Sequence, residues 1–124
     1  MALKLEIKSL MSPDLESGAV PDEADHCSVF LEVEIGESGK EGADIFSFTV
    51  VTPKFLASNA QARWGRGYLI VDEFSWTGVE SMLARLLQRV RGDSWPEVAN
   101  ELAKELNWEF EGYQEHEPGD AYGQ

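Results

Sequence analysis

The clearest pattern along the chain is an alternation of apolar and polar residues over residues 27–35, followed by a glycine-rich break and a second apolar stretch. Side chains alternate between the two faces of a β-strand, so this pattern predicts a strand with one apolar face and one acidic, solvent-facing face. Residues 36–42 have the composition of a turn, and residues 45–51 are rich in β-branched and aromatic residues. Residues 25–53 are therefore predicted to form a β-hairpin, which needs a cover because an isolated hairpin is only marginally stable. The apolar positions of its first strand are Cys27, Val29, Leu31, Val33 and Ile35.

Three further segments have patterns that are typical of strands. Residues 3–9 alternate between apolar and charged residues and predict a first strand. Residues 68–71 form a short apolar run, which favours a central position in the sheet. Residues 107–111 return to a period of two and predict a short terminal strand. The pattern of residues 55–62 leaves a short helix and an irregular connection equally open.

Two helical segments are predicted to cover the sheet. Apolar residues over residues 79–90 recur at the spacing of one helix face, and both Ser75 and Thr77 are candidate N-caps. A second helix is predicted to begin at Ser94, because Glu97 stands three residues later and completes a capping box. Its Glu97, Glu101 and Glu105 form an acidic row at a spacing of four residues.

The order of these elements predicts an α+β fold, in which an antiparallel sheet of four to five strands has two helices packed on one face. The length of 124 residues suits one domain, which we expect to occupy residues 1–113. Residues 114–124 lack apolar periodicity and are predicted to be a flexible C-terminal tail.

The net charge of −13 restricts the partners of the chain. It argues against direct binding to nucleic acid or to anionic lipid, because both repel a surface of this sign. It is compatible with a basic protein partner and with a surface that only keeps a small protein soluble, and charge alone favours the second interpretation. The start of the chain lacks the apolar core of a signal peptide and no stretch is long enough to span a bilayer, so a cytoplasmic location is expected.

Candidate catalytic and metal-binding groups are sparse in the sequence. His26 and His116 have no cysteine or carboxylate at the spacing of metal ligands, so neither a metal nor a cofactor is expected. The single cysteine, Cys27, stands on the apolar side of the alternation and is predicted to be a small buried hydrophobe. Glu32 and Glu34 share one strand face and could form an acid–base pair, although exposed alternating glutamates are the commoner meaning of this pattern. The sequence predicts no enzyme.

Five segments of the chain, in this order and spacing, resemble the immunity protein 8 (Imm8) family of small bacterial proteins encoded beside polymorphic toxins. The resemblance extends over about residues 1–113. The segments are LKLEIKS at 3–9, FSFTVVTPK at 46–54, GRGYLIV at 65–71, GDSWPE at 92–97 and WEFEGY at 108–113.

The resemblance implies an immunity protein that binds and neutralises a cognate toxin domain through a non-catalytic protein–protein complex. Many toxins of such systems are nucleases with basic clefts, which an acidic surface would fit. The expected contact surface then combines acidic residues of the loop at 12–25 with those of the hairpin. These residues are Asp22, Glu23, Asp25, Glu32, Glu34 and Glu37.

Two other functions are compatible with the same composition. The chain could be an acidic regulatory adaptor that docks on a basic host protein without any toxin. It could also be a small carboxylate-dependent hydrolase, which would need a concave pocket around Glu32 and Glu34. The sequence leaves the oligomeric state open.

Overall fold

Five strands and three helices are present in the computed structural model, which describes residues 2–62 and 64–110. The predicted α+β fold is confirmed. The elements in chain order are β1 (Leu5–Met11), β2 (Ser28–Glu37), β3 (Asp44–Val51), α1 (Pro53–Ser58), β4 (Tyr68–Ile70), α2 (Trp76–Arg89), α3 (Trp95–Leu102) and β5 (Asn107–Trp108).

The sheet has the strand order β1-β2-β3-β4, and β5 also pairs with β3. The pairs β1–β2, β2–β3 and β3–β5 are antiparallel, whereas β4 runs parallel to β3. The sheet is therefore mixed rather than purely antiparallel. The parallel pair arises because the chain passes through α1 and a connection before it returns to pair with β3. A parallel pair needs such a crossover, whereas a tight hairpin turn gives an antiparallel pair.

The position of β4 corrects the prediction of a central strand. β4 stands at one end of the strand order, and its Ile70 side chain is 60% exposed. The run is not apolar because both faces of β4 are buried. Leu69 and Val71 pack against the core, whereas Ile70 points to the other face of the sheet. An apolar run of four residues does not distinguish a strand buried on both faces from an edge strand.

The first strand begins and ends two residues later than the pattern indicates. A β-bulge lies between Ile7 and Ser9 in the pairing of β1 with β2. A bulge inserts one extra residue, so the alternation shifts by one position and Leu10 returns to the core side opposite Val33. The sequence alternation therefore breaks at Lys8 although the strand continues to Met11.

The core lies between one face of the sheet and the helices α2 and α3. Val79, Leu83 and Leu86 of α2 are buried against it, and α3 adds Val98 and Leu102. These two helices pack on one face of the sheet, as predicted.

The N-caps of α2 and α3 explain where these helices begin. Ser75, and not Thr77, caps α2, because its Oγ accepts a hydrogen bond from the backbone N–H of Gly78 at 3.0 Å. Ser94 caps α3, and its Oγ accepts from the N–H of Glu97 at 3.4 Å. Cap side chains of this kind satisfy backbone donors that the helix itself leaves unpaired.

The third helix, α1, resolves the segment that the sequence left open. Its N-cap is Thr52, and it contributes no buried residue to the fold. The helix ends at Ser58, so the second half of the segment at 55–62 lies outside it.

Asp44, at the start of β3, joins three elements. Its Oδ2 accepts a hydrogen bond from the indole N–H of Trp95 at 2.6 Å and another from that of Trp108 at 3.0 Å. Trp95 begins α3 and Trp108 ends β5. Asp44 thereby fixes the last helix and the last strand to the edge of the hairpin.

Two predictions concern residues at the end of the chain. The terminal strand is observed over Asn107–Trp108, and Glu109 continues the contact by donating its N–H to the carbonyl of Ile45 at 3.0 Å. Residues 109–110 form a turn, so the predicted strand is wrong there, and its last residue, 111, and the predicted tail at 114–124 lie outside the described residues. None of the helices within the described residues is both long and apolar enough to cross a membrane.

Candidate functional site

The sheet has two faces of different character. The covered face carries the buried side chains that α2 and α3 pack against, and it includes Leu31 and Phe48. Side chains alternate along each strand, so the residues before and after each buried residue point to the other side of the sheet, which we call the open face. Residues that pair across neighbouring strands lie on the same face. The open face includes Ser9, Met11, Ser28, Phe30, Glu32, Glu34, Ile45, Ser47, Thr49, Val51, Tyr68 and Ile70, and of these Val51 is buried.

Glu32 and Glu34 lie side by side at the centre of the open face. Glu32 pairs across the strands with Met11 and Ser47, and Glu34 pairs with Ser9 and Ile45. Two residues apart on one strand, the carboxylates stand roughly 7 Å from each other along the chain. The Oε1 atom of Glu34 accepts a hydrogen bond from the hydroxyl of Ser9 at 2.9 Å.

No lysine, arginine or histidine nitrogen of residues 2–62 and 64–110 forms an ion pair with Glu32 or Glu34. Their negative charges are therefore uncompensated at short range. An uncompensated pair of carboxylates on an exposed face contributes to the field that an approaching partner meets.

The carboxylates of the predicted loop are in a different situation. Asp25 accepts a hydrogen bond from the ammonium group of Lys54 at 2.7 Å, and this contact lowers the pKa of Asp25 and raises the pKa of Lys54. Glu23 stands 3.8 Å from Nδ1 of His26, and Asp22 is exposed. The charge of Asp25 is therefore already paired inside the protein.

Hydrogen bonds hold the acidic loop against the fold. The indole N–H of Trp76 donates to the carbonyl of Ala19 at 2.7 Å, and the N–H of Phe74 donates to the carbonyl of Ala24 at 2.8 Å. At its start, the hydroxyl of Ser12 donates to the carbonyl of Phe30 at 2.6 Å. The loop thereby has fixed attachments to α2 and to β2.

Glu37 lies at the far end of β2 and on the other side of the sheet. It pairs with Leu5, whose side chain packs against the core, and its Oε2 forms an ion pair with Lys40 at 3.3 Å. β2 from Ser28 to Glu37 is about 30 Å long at the rise of an extended chain, and Asp25 lies in the turn before its other end. The structure therefore brings only Glu32 and Glu34 together, and the other predicted contact residues form separate groups.

The acidic row predicted for the second helix has partners within the protein, although its last member, Glu105, lies beyond the end of α3 at Leu102. Oε1 of Glu97 accepts from the N–H of Asp93 at 2.8 Å, one residue before the N-cap Ser94, whereas a capping box would use the N–H of Ser94 itself. Glu101 forms an ion pair with Lys104 at 2.9 Å, and Glu105 forms one with Arg89 at 3.3 Å.

A polar cluster around His26 could not be predicted from the sequence. Nε2 of His26 lies 3.0 Å from the hydroxyl of Ser58, and its ring contacts Phe55 edge-on at a centroid distance of 5.8 Å. The order Ser58–His26–Glu23 resembles a nucleophilic triad, but the distance of 3.8 Å between His26 and Glu23 exceeds a hydrogen bond. The cluster joins the acidic loop to α1, together with the pair of Asp25 and Lys54. A separation of 32 residues between His26 and Ser58 leaves no local sequence signal for this contact.

A groove lies between α2 and β4 on the helix side of the sheet. It has a volume of about 130 Å³, and its walls include Phe48, Leu83 and Met82. The ion pair of Arg89 with Glu105 borders it. Over residues 2–62 and 64–110, histidine, cysteine and carboxylate side chains form no group of three that could hold a metal ion.

Comparison with known proteins identifies the family. The model of the family immunity protein 8 (Imm8) matches residues 5–113, which is most of the chain. The chain therefore belongs to the immunity protein 8 family, a family of immunity proteins of toxin systems. No curated protein and no solved structure matches it.

Proposed function

We propose that this protein protects its producer by binding a cognate toxin domain in a tight, stoichiometric complex. The observation that carries the proposal is the match of the immunity protein 8 family to residues 5–113. The mode of action is inhibition by occlusion, without a chemical step in the immunity protein. The complex forms in the cytoplasm, where the toxin would otherwise act.

The charge of the chain supports a basic toxin surface as the partner. A net charge of −13 speeds encounter with a basic domain and disfavours encounter with an acidic one. A nuclease fits this description, because its cleft must attract the phosphates of nucleic acid. The proposed contact residues are those expected from the sequence. Glu32 and Glu34 are the strongest members of that set, because they share one face of the sheet and have no ion-pair partner among the described residues.

Co-expression tests the proposal. The toxic domain encoded beside this gene is induced with and without this chain, and survival is measured. We expect rescue together with co-purification at a ratio of one to one. An unrelated acidic protein of similar size and charge serves as the control and should not rescue. Continued killing in the presence of abundant folded protein would overturn the proposal for that pair.

Titration separates a stoichiometric inhibitor from an enzyme that destroys or modifies the toxin. Purified toxin activity is measured at increasing amounts of this chain. We expect activity to fall linearly and to reach its minimum at an equimolar amount. Complete inactivation at a small fraction of that amount would contradict a mechanism without chemistry.

A further inference from the structure

We propose that the toxin domain docks on the open face of the sheet, with Met11 and Phe30 as apolar contacts beside Glu32 and Glu34, and with Ile70 as a further apolar contact at the β4 edge of that face. This inference rests on the proposed function and specifies its interface. The partner surface that fits is basic at its centre and apolar at its periphery.

Exposed apolar side chains are the first observation behind this inference. Met11 is 50% exposed, Phe30 is 36% exposed and Ile70 is 60% exposed, although all three belong to strands of a well-packed sheet. Their neighbours Leu31 and Val50 on the covered face are fully buried. Large apolar residues that the core does not use and that share one surface are typical of protein-interaction sites.

Charge decides which occupant fits the open face. Glu32 and Glu34 have no compensating cation among the described residues, so they favour a basic partner. A second copy of this chain would bring the same two carboxylates face to face in a symmetric dimer, which like charges disfavour. Nucleic acid and anionic lipid are disfavoured by the net charge of −13.

Helix α2 presents a poorer surface for the same partner. The exposed part of α2 carries Arg85 and Arg89, and its single carboxylate is Glu80. Arg89 is paired with Glu105, so among the described residues Arg85 is the charge of α2 that a basic domain would meet without an ion-pair partner. The contrast in charge between α2 and the open face therefore favours docking at the open face.

Charge reversal tests the electrostatic part of the interface. Association of the purified full-length chain with the cognate toxin domain is followed by stopped-flow fluorescence at several salt concentrations. For Glu32→Lys/Glu34→Lys we expect an association rate at least about tenfold lower at low salt, with a weaker dependence on salt. Glu41→Lys/Glu101→Lys changes the net charge equally but lies off the open face, and its rate should stay within about threefold of wild type.

Truncation of apolar side chains tests the apolar part of the proposed interface. Met11→Ala and Met82→Ala form a matched pair of variants. Both methionines are exposed, but Met82 lies on α2 at the covered side of the sheet. We expect Met11→Ala and Phe30→Ala to raise the dissociation rate by about fivefold or more, and Met82→Ala to leave it unchanged. Circular dichroism confirms that each variant is folded.

The outcomes distinguish this inference from the proposed function. If wild type neutralises and binds the toxin but the open-face variants bind as tightly as wild type, the interface is elsewhere and only this inference is overturned. A concentration-dependent dimer of wild type in sedimentation that Phe30→Ala abolishes would overturn it too, because the face would then be occupied by a second copy. Failure of wild type to bind the toxin at all overturns both.

Discussion

The two faces of the sheet are built from the same strands and differ in almost every other respect. On the covered face, Leu31 and Phe48 are buried to within 1% of complete exclusion from solvent. On the open face, their immediate neighbours Phe30 and Thr49 pair with each other and retain contact with solvent. The difference teaches that backbone pairing alone does not determine whether the side chain of a strand residue is buried or exposed to solvent. The cover supplied by α2 and α3 makes one face a core, whereas much of the other face retains contact with solvent.

The largest expected contrast comes from removing one phenylalanine from each face. Phe48→Ala should lower the free energy of unfolding by about 3–5 kcal/mol, because it leaves a cavity in the core. Phe30→Ala should lower it by about 1 kcal/mol or less, because that side chain is already partly in solvent. Urea denaturation followed by circular dichroism measures both. Similar losses for the two variants would contradict the distinction between the faces.

The attachment of the helix layer is expected to depend on Asp44. Asp44→Ala should lower the free energy of unfolding by about 2–4 kcal/mol, because the indole N–H groups of Trp95 and Trp108 lose a charged acceptor. Asp44→Asn retains an acceptor oxygen and should lose less than half as much. Equilibrium unfolding is the measurement, and equal losses for the two variants would show that the hydrogen bonds are not the cause.

Thr49 and Val50 are adjacent in β3, lie on opposite faces of the sheet and have side chains of similar shape, so each can be replaced by the other type. Val50→Thr places a hydroxyl in the core and should cost about 1–3 kcal/mol of stability. Thr49→Val makes the reverse change on the open face and should alter stability by no more than about 0.5 kcal/mol. Thermal unfolding of the two variants and of wild type gives the comparison. A larger loss for Thr49→Val than for Val50→Thr would reverse the assignment of the faces.

The smallest effect is expected at the acidic loop, where Asp25 and Lys54 form an exposed ion pair. Because Lys54 lowers the pKa of Asp25 in the folded state, the pair stabilises the protein above the ordinary aspartate pKa of about 3.9. That contribution is lost as the pH falls through the lowered pKa of the folded state. Wild type should therefore lose slightly more stability than Asp25→Asn between pH 5 and pH 2, roughly the window of that titration. The free energy of unfolding of both proteins is measured by urea denaturation at each pH. An equal change with pH in the two proteins would show that this ion pair does not contribute to stability, which is common for exposed pairs.

Much of the fold could be predicted from the sequence because its signals are local. The alternation from Cys27 to Ile35 predicts the buried face of β2, and Cys27 is buried as expected, with burial raising the pKa of its thiol. The caps at Ser94 and Glu97 predict the beginning of α3. These patterns report which side of an element is apolar, and a single segment is sufficient to display them.

Other features could not be predicted because they depend on residues far apart in the chain. The apolar run of β4 contains no information on the strand that it pairs with or on the direction of pairing. The bulge near Lys8 becomes recognisable only when β1 is aligned with β2. The contact of His26 with Ser58 is of the same kind.

Some features of the candidate site could likewise be predicted from local sequence patterns, whereas others depend on residues far apart in the chain. The sequence by itself determined that the chain is acidic, that Glu32 and Glu34 share one face of a strand, and that its segments resemble the immunity protein 8 family, which the family match confirms. Only the tertiary structure decided that Lys54 and Lys40 pair with Asp25 and Glu37 while Glu32 and Glu34 have no such partner among the described residues. Periodicity is a local property of the chain, whereas the compensation of a charge depends on which distant side chains the fold places within about 4 Å of it.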